Sequence, residues 1–166
     1  MDSNVYIGVG SNLGDRAENC FKAIEAIDRF DGCHVEQCSP LYETEPIGYD
    51  DQGWFINAAV RIGTSLDPES LFPHLKSIEK ALGRRPSGIH FGPRIVDLDI
   101  LLFEDLVIRA DNLTIPHPEL HKRRFVLRPL ADIAPDILHP VLNETIFELL
   151  TNLKDNEKGV IHYSCD

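Results

Sequence analysis

Two aspartates, Asp97 and Asp99, stand one residue apart inside the apolar run Ile95-Val96-Asp97-Leu98-Asp99-Ile100-Leu101-Leu102-Phe103. Read as a strand, this run puts both carboxylates on one face and Val96, Leu98 and Ile100 on the other, with the two aspartate Cα atoms roughly 6.7 Å apart. At an effective dielectric of about 20 the two charges repel by roughly 2.4 kcal/mol, and a cation between them reverses the sign. Carboxylates select hard cations such as Mg²⁺, and two metal ions about 3.5 to 4 Å apart are a common device for phosphoryl transfer. Spacing alone fits an exposed acidic face on an edge strand equally well.

Basic residues gather on either side of this pair in the sequence. Arg84, Arg85, His90 and Arg94 precede it, and Lys122, Arg123, Arg124 and Arg128 follow, so seven of the sixteen Lys and Arg residues fall in two short windows. In a chain of net charge −11 such clustering suits phosphate oxygens, which Arg grips with two parallel hydrogen bonds, although solvated helix ends would look the same. His117 lies beside Pro116 near the second window and is either a phosphate ligand or a turn histidine. The pair His117 and His121 does not read as a zinc helix, because H-E-x-x-H is absent and Pro118 sits badly in a helix. Phe55, Phe91 and Phe125 suit a core as well as a stacking platform, and Asn57 in an apolar strand has a backbone group to satisfy or a ligand to read. Ile7 to Asp15 holds alternating glycines, but Leu13 breaks G-x-G-x-x-G and no Gly-Lys step exists for a Walker A loop, so a tight strand-to-helix turn is the expectation.

The elements that must position these groups follow from hydrophobic period and caps. A strand at Val5-Tyr6-Ile7 leads to a helix capped by Asp15, with Cys20, Ala23, Ile24, Ile27 and Phe30 on one side and an end near Asp31-Gly32. Strands are expected over 34–42 and 55–62, joined by a long surface loop rich in Gly, Pro and Asp. A second helix starts at Asp67-Pro68, carries the stripe Leu71, Leu75, Ile78 and Leu82, and ends at Gly83. A mobile loop is expected over 84–93, then the aspartate strand. Strand, helix, strand, strand, helix, strand is the split pattern of an α+β ferredoxin-like βαβ sandwich, a mainly antiparallel sheet with helices on one face. A short strand at 113–115 and helices at 125–133 and 144–153 complete a single domain over 1–153, and the tail 154–166 carries no clear signal.

Composition limits the class. With 166 residues, 43% apolar and 26% charged, the chain matches an ordinary globular domain rather than a disordered or disulfide-stapled one. The excess of acid, 27 to 16, opposes sequence-independent binding to nucleic acid or anionic membranes. Cys20, Cys33, Cys38 and Cys165 form no C-x-x-C pair, no apolar run is long enough for a membrane span, and the start lacks a secretory signal, so an uncleaved cytoplasmic protein is expected. No heptad run or apolar interface is visible, and a monomer is the default expectation.

In combination these residues resemble the 6-hydroxymethyl-7,8-dihydropterin pyrophosphokinase family, from about residue 5 to residue 150. The resemblance rests on His90-Phe91-Gly92-Pro93-Arg94-Ile95-Val96-Asp97-Leu98-Asp99-Ile100-Leu101, with Ile7 to Asp15, Phe55-Ile56-Asn57-Ala58-Ala59-Val60 and Ile115-Pro116-His117 in support. It implies transfer of a diphosphate from ATP to the pterin alcohol with release of AMP, and two Mg²⁺ ions on Asp97 and Asp99. By the same resemblance Arg84, Arg94, His117 and Arg123 contact the nucleotide or its phosphates, with Lys76, Ile100 and Thr114 as weaker candidates. By that resemblance the pterin lies between Phe55 and Phe125 near Phe91, and its edge is read by Asn57 and by the backbone around Thr44, Glu45 and Ile47. Phe91 stands where many relatives carry tryptophan, Phe55 where tyrosine is frequent, and Arg124 where a small residue is usual. Two rival readings are a D-x-D nucleotidyltransferase and a non-catalytic ferredoxin-like ligand-binding domain. Against the first, Ser11 and Asp97 are 86 residues apart; the second gives paired carboxylates between basic segments nothing to do.

Overall fold

The computed structural model describes residues 2–45, 53–83, 95–154 and 159–163. β1 (Ser3–Ser11) runs through the middle of a six-stranded sheet, with β5 (Asp97–Phe103) on one side and β4 (Phe55–Thr64) on the other. The outer edge of β4 is shared by β2 (Cys33–Cys38) and β3 (Tyr42–Thr44), and β3 in turn pairs with β8 (Val160–His162). Every one of these pairings is antiparallel. The order β5, β1, β4, then β2, is that of the expected ferredoxin-like sandwich.

Local chemistry sets the element ends. Helix α1 (Arg16–Arg29) begins where Asp15 accepts a hydrogen bond from Glu18 N at 3.2 Å, and the chain leaves it through Gly32 at φ +89°. Helix α2 (Pro68–Ala81) begins with Asp67 accepting from Ser70 N at 2.8 Å, with proline in its first turn, and ends before Gly83 at φ +102°. The single strand expected over 34–42 is two strands. Pro40 has no N–H to give a ladder, and before it Ser39 hydroxyl accepts from Ala59 N at 2.9 Å, a side chain standing in for a strand partner.

Helices cover both faces rather than one. α1 and α2 pack on Val5, Ile7, Val9, Ile62 and Leu98. α3 (Arg124–Ile133) and α4 (Ile146–Thr151), the latter opened by a Thr145–Glu148 capping box, close a second core with Tyr6, Leu101 and Leu102. The two cores meet β5 out of step because its register against β1 shifts at Tyr6/Ile7. Leu101 is the extra residue of this bulge, so Leu101 and Leu102 both face the second core while Ile100 and Phe103 face the first. A two-stranded ribbon, β6 (Ile108–Arg109) and β7 (Thr114–Ile115), and a 3₁₀ turn at Leu120–Lys122 then carry the chain from β5 to α3.

Candidate active site

Alternation along three neighbouring strands builds the floor of the site. β5 turns Asp97 and Asp99 to the α3 face, opposite Gly10 and Gly8 of β1, and across β1 Gly10 pairs with Asn57 of β4. The glycines thus lie inside β1, not in the expected strand-to-helix turn, which is confined to 12–15. A Cβ at Gly10 would stand 2.7 Å from Asn57 Oδ1, so glycine there is what lets the amide lie flat over the strand. Asn57 Nδ2 donates to Thr44 Oγ1 at 2.6 Å, which fixes the amide toward β3.

Above this floor a cleft is lined by Thr44, Glu45, Phe55, His117, Arg123 and Phe125. Phe125 lies in the first turn of α3, and the Arg123 guanidinium sits 5.5 Å from the centre of its ring. His117 is tethered to the aspartate strand by its N–H, which donates to Leu101 O at 3.0 Å. Its Nδ1 accepts from Glu119 N at 3.1 Å, so the neutral ring carries its proton on Nε2. Burial, reinforced by the charge of Arg123, holds His117 below the usual histidine range, so it is neutral at pH 7.

Asp99 behaves in the opposite sense. Burial first, and the neighbouring Asp97 charge second, push its carboxyl up to about 7, which Lys76 and Arg123 only partly offset. Two carboxylates that resist double ionisation suit a divalent cation between or beside them. Among the described residues no group of three His, Cys, Asp or Glu side chains gathers for a metal. A cation on Asp97 and Asp99 would therefore complete its shell with water or phosphate oxygens, the habit of Mg²⁺.

The free edge of β5 is finished by α2. Glu79 Oε2 accepts from Leu98 N at 2.7 Å, and Lys76 Nζ donates to Leu98 O at 3.2 Å and to the same Glu79 oxygen at 3.2 Å. The two side chains act as a substitute strand on the peptide groups of Leu98, midway between the aspartates.

The cleft therefore brings together Thr44, Glu45, Phe55, Asn57, Asp97, Asp99, His117, Arg123 and Phe125 of the sequence-based set. Three others stand apart from its lining. Lys76 is engaged with Leu98 and Glu79, Ile100 is buried in the first core on the reverse face of β5, and Thr114 pairs with Arg109 in the β6–β7 ribbon. Ile47, Arg84, Phe91 and Arg94 lie outside the described residues. Arg128 is bonded to Asp132, which also accepts from the Tyr42 hydroxyl, so it serves to hold α3 on β3. Gly8, Gly10 and Glu79 were not singled out as site residues. The period-two glycines of Ile7-Gly8-Val9-Gly10 were the signal for the first two, and the position of Glu79 four residues after Leu75, on the apolar stripe of α2, was the signal for the third.

Fold and cleft define a ferredoxin-like α+β domain whose site sets paired carboxylates beside cationic, amide and aromatic groups. The chain belongs to the 7,8-dihydro-6-hydroxymethylpterin-pyrophosphokinase (HPPK) family, whose sequence pattern matches residues 6–135. It is 41% identical over 146 residues to the 2-amino-4-hydroxy-6-hydroxymethyldihydropteridine pyrophosphokinase of Aquifex aeolicus, covering 88% of this chain and 89% of that protein. It is 42% identical over 159 residues to the folic acid synthesis protein fol1 of Schizosaccharomyces pombe, covering 96% of this chain but only 21% of the longer protein. Among solved structures, wild-type HPPK-DHPS of Plasmodium falciparum with pteroate superposes with a TM-score of 0.73 at 20% identity, over 91% of this chain and 42% of that one. The chain thus spans nearly the whole of some relatives and a fraction of others.

Proposed function

We propose that the protein transfers the β,γ-diphosphate of ATP to the hydroxymethyl oxygen of 6-hydroxymethyl-7,8-dihydropterin and releases AMP, a step of folate biosynthesis. The observation that carries this reading is that one cleft is lined both by a carboxylate pair, a guanidinium and an imidazole donor and by aromatic rings and an amide. The family membership supplies the reaction class.

At the pterin end, Phe55 and Phe125 offer faces to a flat heteroaromatic ring, and Asn57 pairs with donor and acceptor atoms on its edge as amides do with bases. At the phosphate end, Arg123 and the Nε2–H of His117 hold phosphate oxygens, and Asp97 and Asp99 hold Mg²⁺, two ions in this reading. Bound Mg²⁺ would neutralise phosphate charge and acidify the pterin hydroxyl. The hydroxyl gives up its proton to water, its oxygen attacks the β phosphorus in line, the bond from that phosphorus to the α–β bridging oxygen breaks, and AMP departs with the oxygen. Arg84, Arg94, Phe91 and Ile47 join the site in this reading on the strength of the sequence resemblance, Lys76, Ile100 and Thr114 being the weaker ATP-side candidates. We take residues 1–153 as one catalytic domain whose sheet is extended by β8 of the tail, acting as a cytoplasmic monomer. No helix among the described residues is long and apolar enough to cross a membrane.

Mixing the protein with Mg-ATP and the pterin alcohol, then separating the nucleotides, tests the reading. Pterin-dependent AMP is the expected product. ADP would mean transfer of a single phosphoryl group, and no product from folded protein would favour a binding domain without catalysis.

A further inference from the structure

The described part of the tail, Gly159 to Tyr163, joins the sheet beside the cleft. β8 runs antiparallel to β3, with Thr44 opposite Val160, Glu43 opposite Ile161 and Tyr42 opposite His162. The pairing continues at both ends: Tyr163 N donates to Leu41 O at 2.8 Å, and Glu45 N donates to Gly159 O at 3.2 Å. Gly159 N then donates back to Glu45 Oε1 at 3.0 Å, closing a two-bond ring between the residue that leads into β8 and a residue that lines the cleft. A Cβ at position 159 would lie 2.9 Å from that same Oε1, so any side chain there drives the carboxylate out of its seat.

β3 has only three residues and is paired on both edges, by β4 and by β8. Its Thr44 hydroxyl is the group that orients the Asn57 amide. The outer end of the tail is tied down separately, where the Arg16 guanidinium lies 6.0 Å from the Tyr163 ring, bonds Glu43 at 2.7 Å and donates to Trp54 O at 2.9 Å, one residue before Phe55. We infer that β8 is a positioning element for the pterin end of the cleft, acting from Gly159 through Glu45 and Thr44 to Asn57. On this view the Glu45 carboxylate serves the tail and not the ligand. The inference rests on the proposed pterin reaction.

Three full-length variants test it: Gly159→Ala, Glu45→Ala and Glu45→Gln. KM for the pterin alcohol, KM for ATP, kcat, direct pterin binding by fluorescence titration and Tm are read for each. Gly159→Ala and Glu45→Ala should raise the pterin KM and Kd by about fivefold or more, the scale of one lost hydrogen bond. For Gly159→Ala, which lies outside the cleft lining, KM for ATP and kcat should stay within about twofold, the pattern of lost uniform binding. Glu45→Gln, which keeps an oxygen acceptor, should recover at least half of the loss. A lowered Tm with unchanged pterin KM and Kd would overturn the inference and leave β8 as a stabilising strand only. If Gly159→Ala does not fold, Tyr163→Ala decides, since it loosens the far end of β8 without altering a residue that lines the cleft. Wild-type protein that binds pterin but forms no AMP would sink the proposed reaction while the variants' Kd values still decide this inference; wild type that does neither would sink both.

Discussion

Asp99 and His117 face the same cleft and are pushed in opposite directions by the same burial, the carboxyl up to about 7 and the imidazole below its usual range. Both shifts favour the neutral form, which is the expected state of a pocket waiting for charged ligands. Replacing Asp97 removes one of two hard ligands, so Asp97→Ala should lower kcat by about a thousandfold or more, the scale of lost transition-state charge stabilisation, with the far-UV spectrum unchanged. Turnover near that of the wild type would remove the carboxylate pair from the reaction. In the same cleft, Phe125→Ala should weaken pterin binding by about 1 to 3 kcal/mol, by analogy with base stacking, and leave ATP affinity in place. Calorimetry is the check, and an unchanged pterin affinity would make Phe125 packing for Arg123 and nothing more. At this scale the sequence was most legible where residue type and spacing coincide, as in Asp97 and Asp99. Glu79 escaped because a glutamate on an amphipathic helix reads as solvent-facing, yet it is 2% exposed.

Glu79 also shows how an element can set a site without touching its ligands. By satisfying the outward N–H of Leu98, with Lys76 on the carbonyl, α2 holds the β5 backbone between the two aspartates. Glu79→Ala would leave that N–H without an acceptor, at a cost of about 1 to 3 kcal/mol. Urea unfolding should show the loss, and kcat should fall while the pterin Kd does not move; full stability would mean that water replaces the carboxylate. Helices announced themselves through caps that act within a few residues, Asp15, Asp67 and Thr145 among them. β8 did not, because a three-residue strand is specified by its partner, and nothing in Val160-Ile161-His162 names β3. The division of the expected strand over 34–42 turned on Pro40, and the bulge at Leu101 depends on which core each leucine enters, a tertiary choice.

For the whole molecule, the sheet is a shared wall between two cores, and the cleft opens where the second core gives way to glycines and carboxylates. That arrangement links the site to global stability. The folded pKa of Asp99, about 7, is above its ordinary value of 3.8, so folding favours the protonated form. Its contribution is present below about pH 4 and is lost as pH rises through about 7. Against Asp99→Asn, which cannot titrate, the metal-free wild type should therefore melt progressively lower between about pH 4 and pH 7, and Mg²⁺ added above pH 7 should narrow the gap. A pH-independent difference in Tm would place Asp99 in water and weaken the case for a cation site. The ferredoxin-like order was legible from alternating elements, whereas the second helical layer's place on the opposite face was not, since α3 and α4 carry a stripe that any apolar surface could accept. If the cleft moves two phosphorus atoms together, as proposed, ATP labelled at the β phosphorus will reveal it. The label should appear in the pterin product in step with AMP; a label that stays with the nucleotide while pterin is phosphorylated would rule out diphosphate transfer.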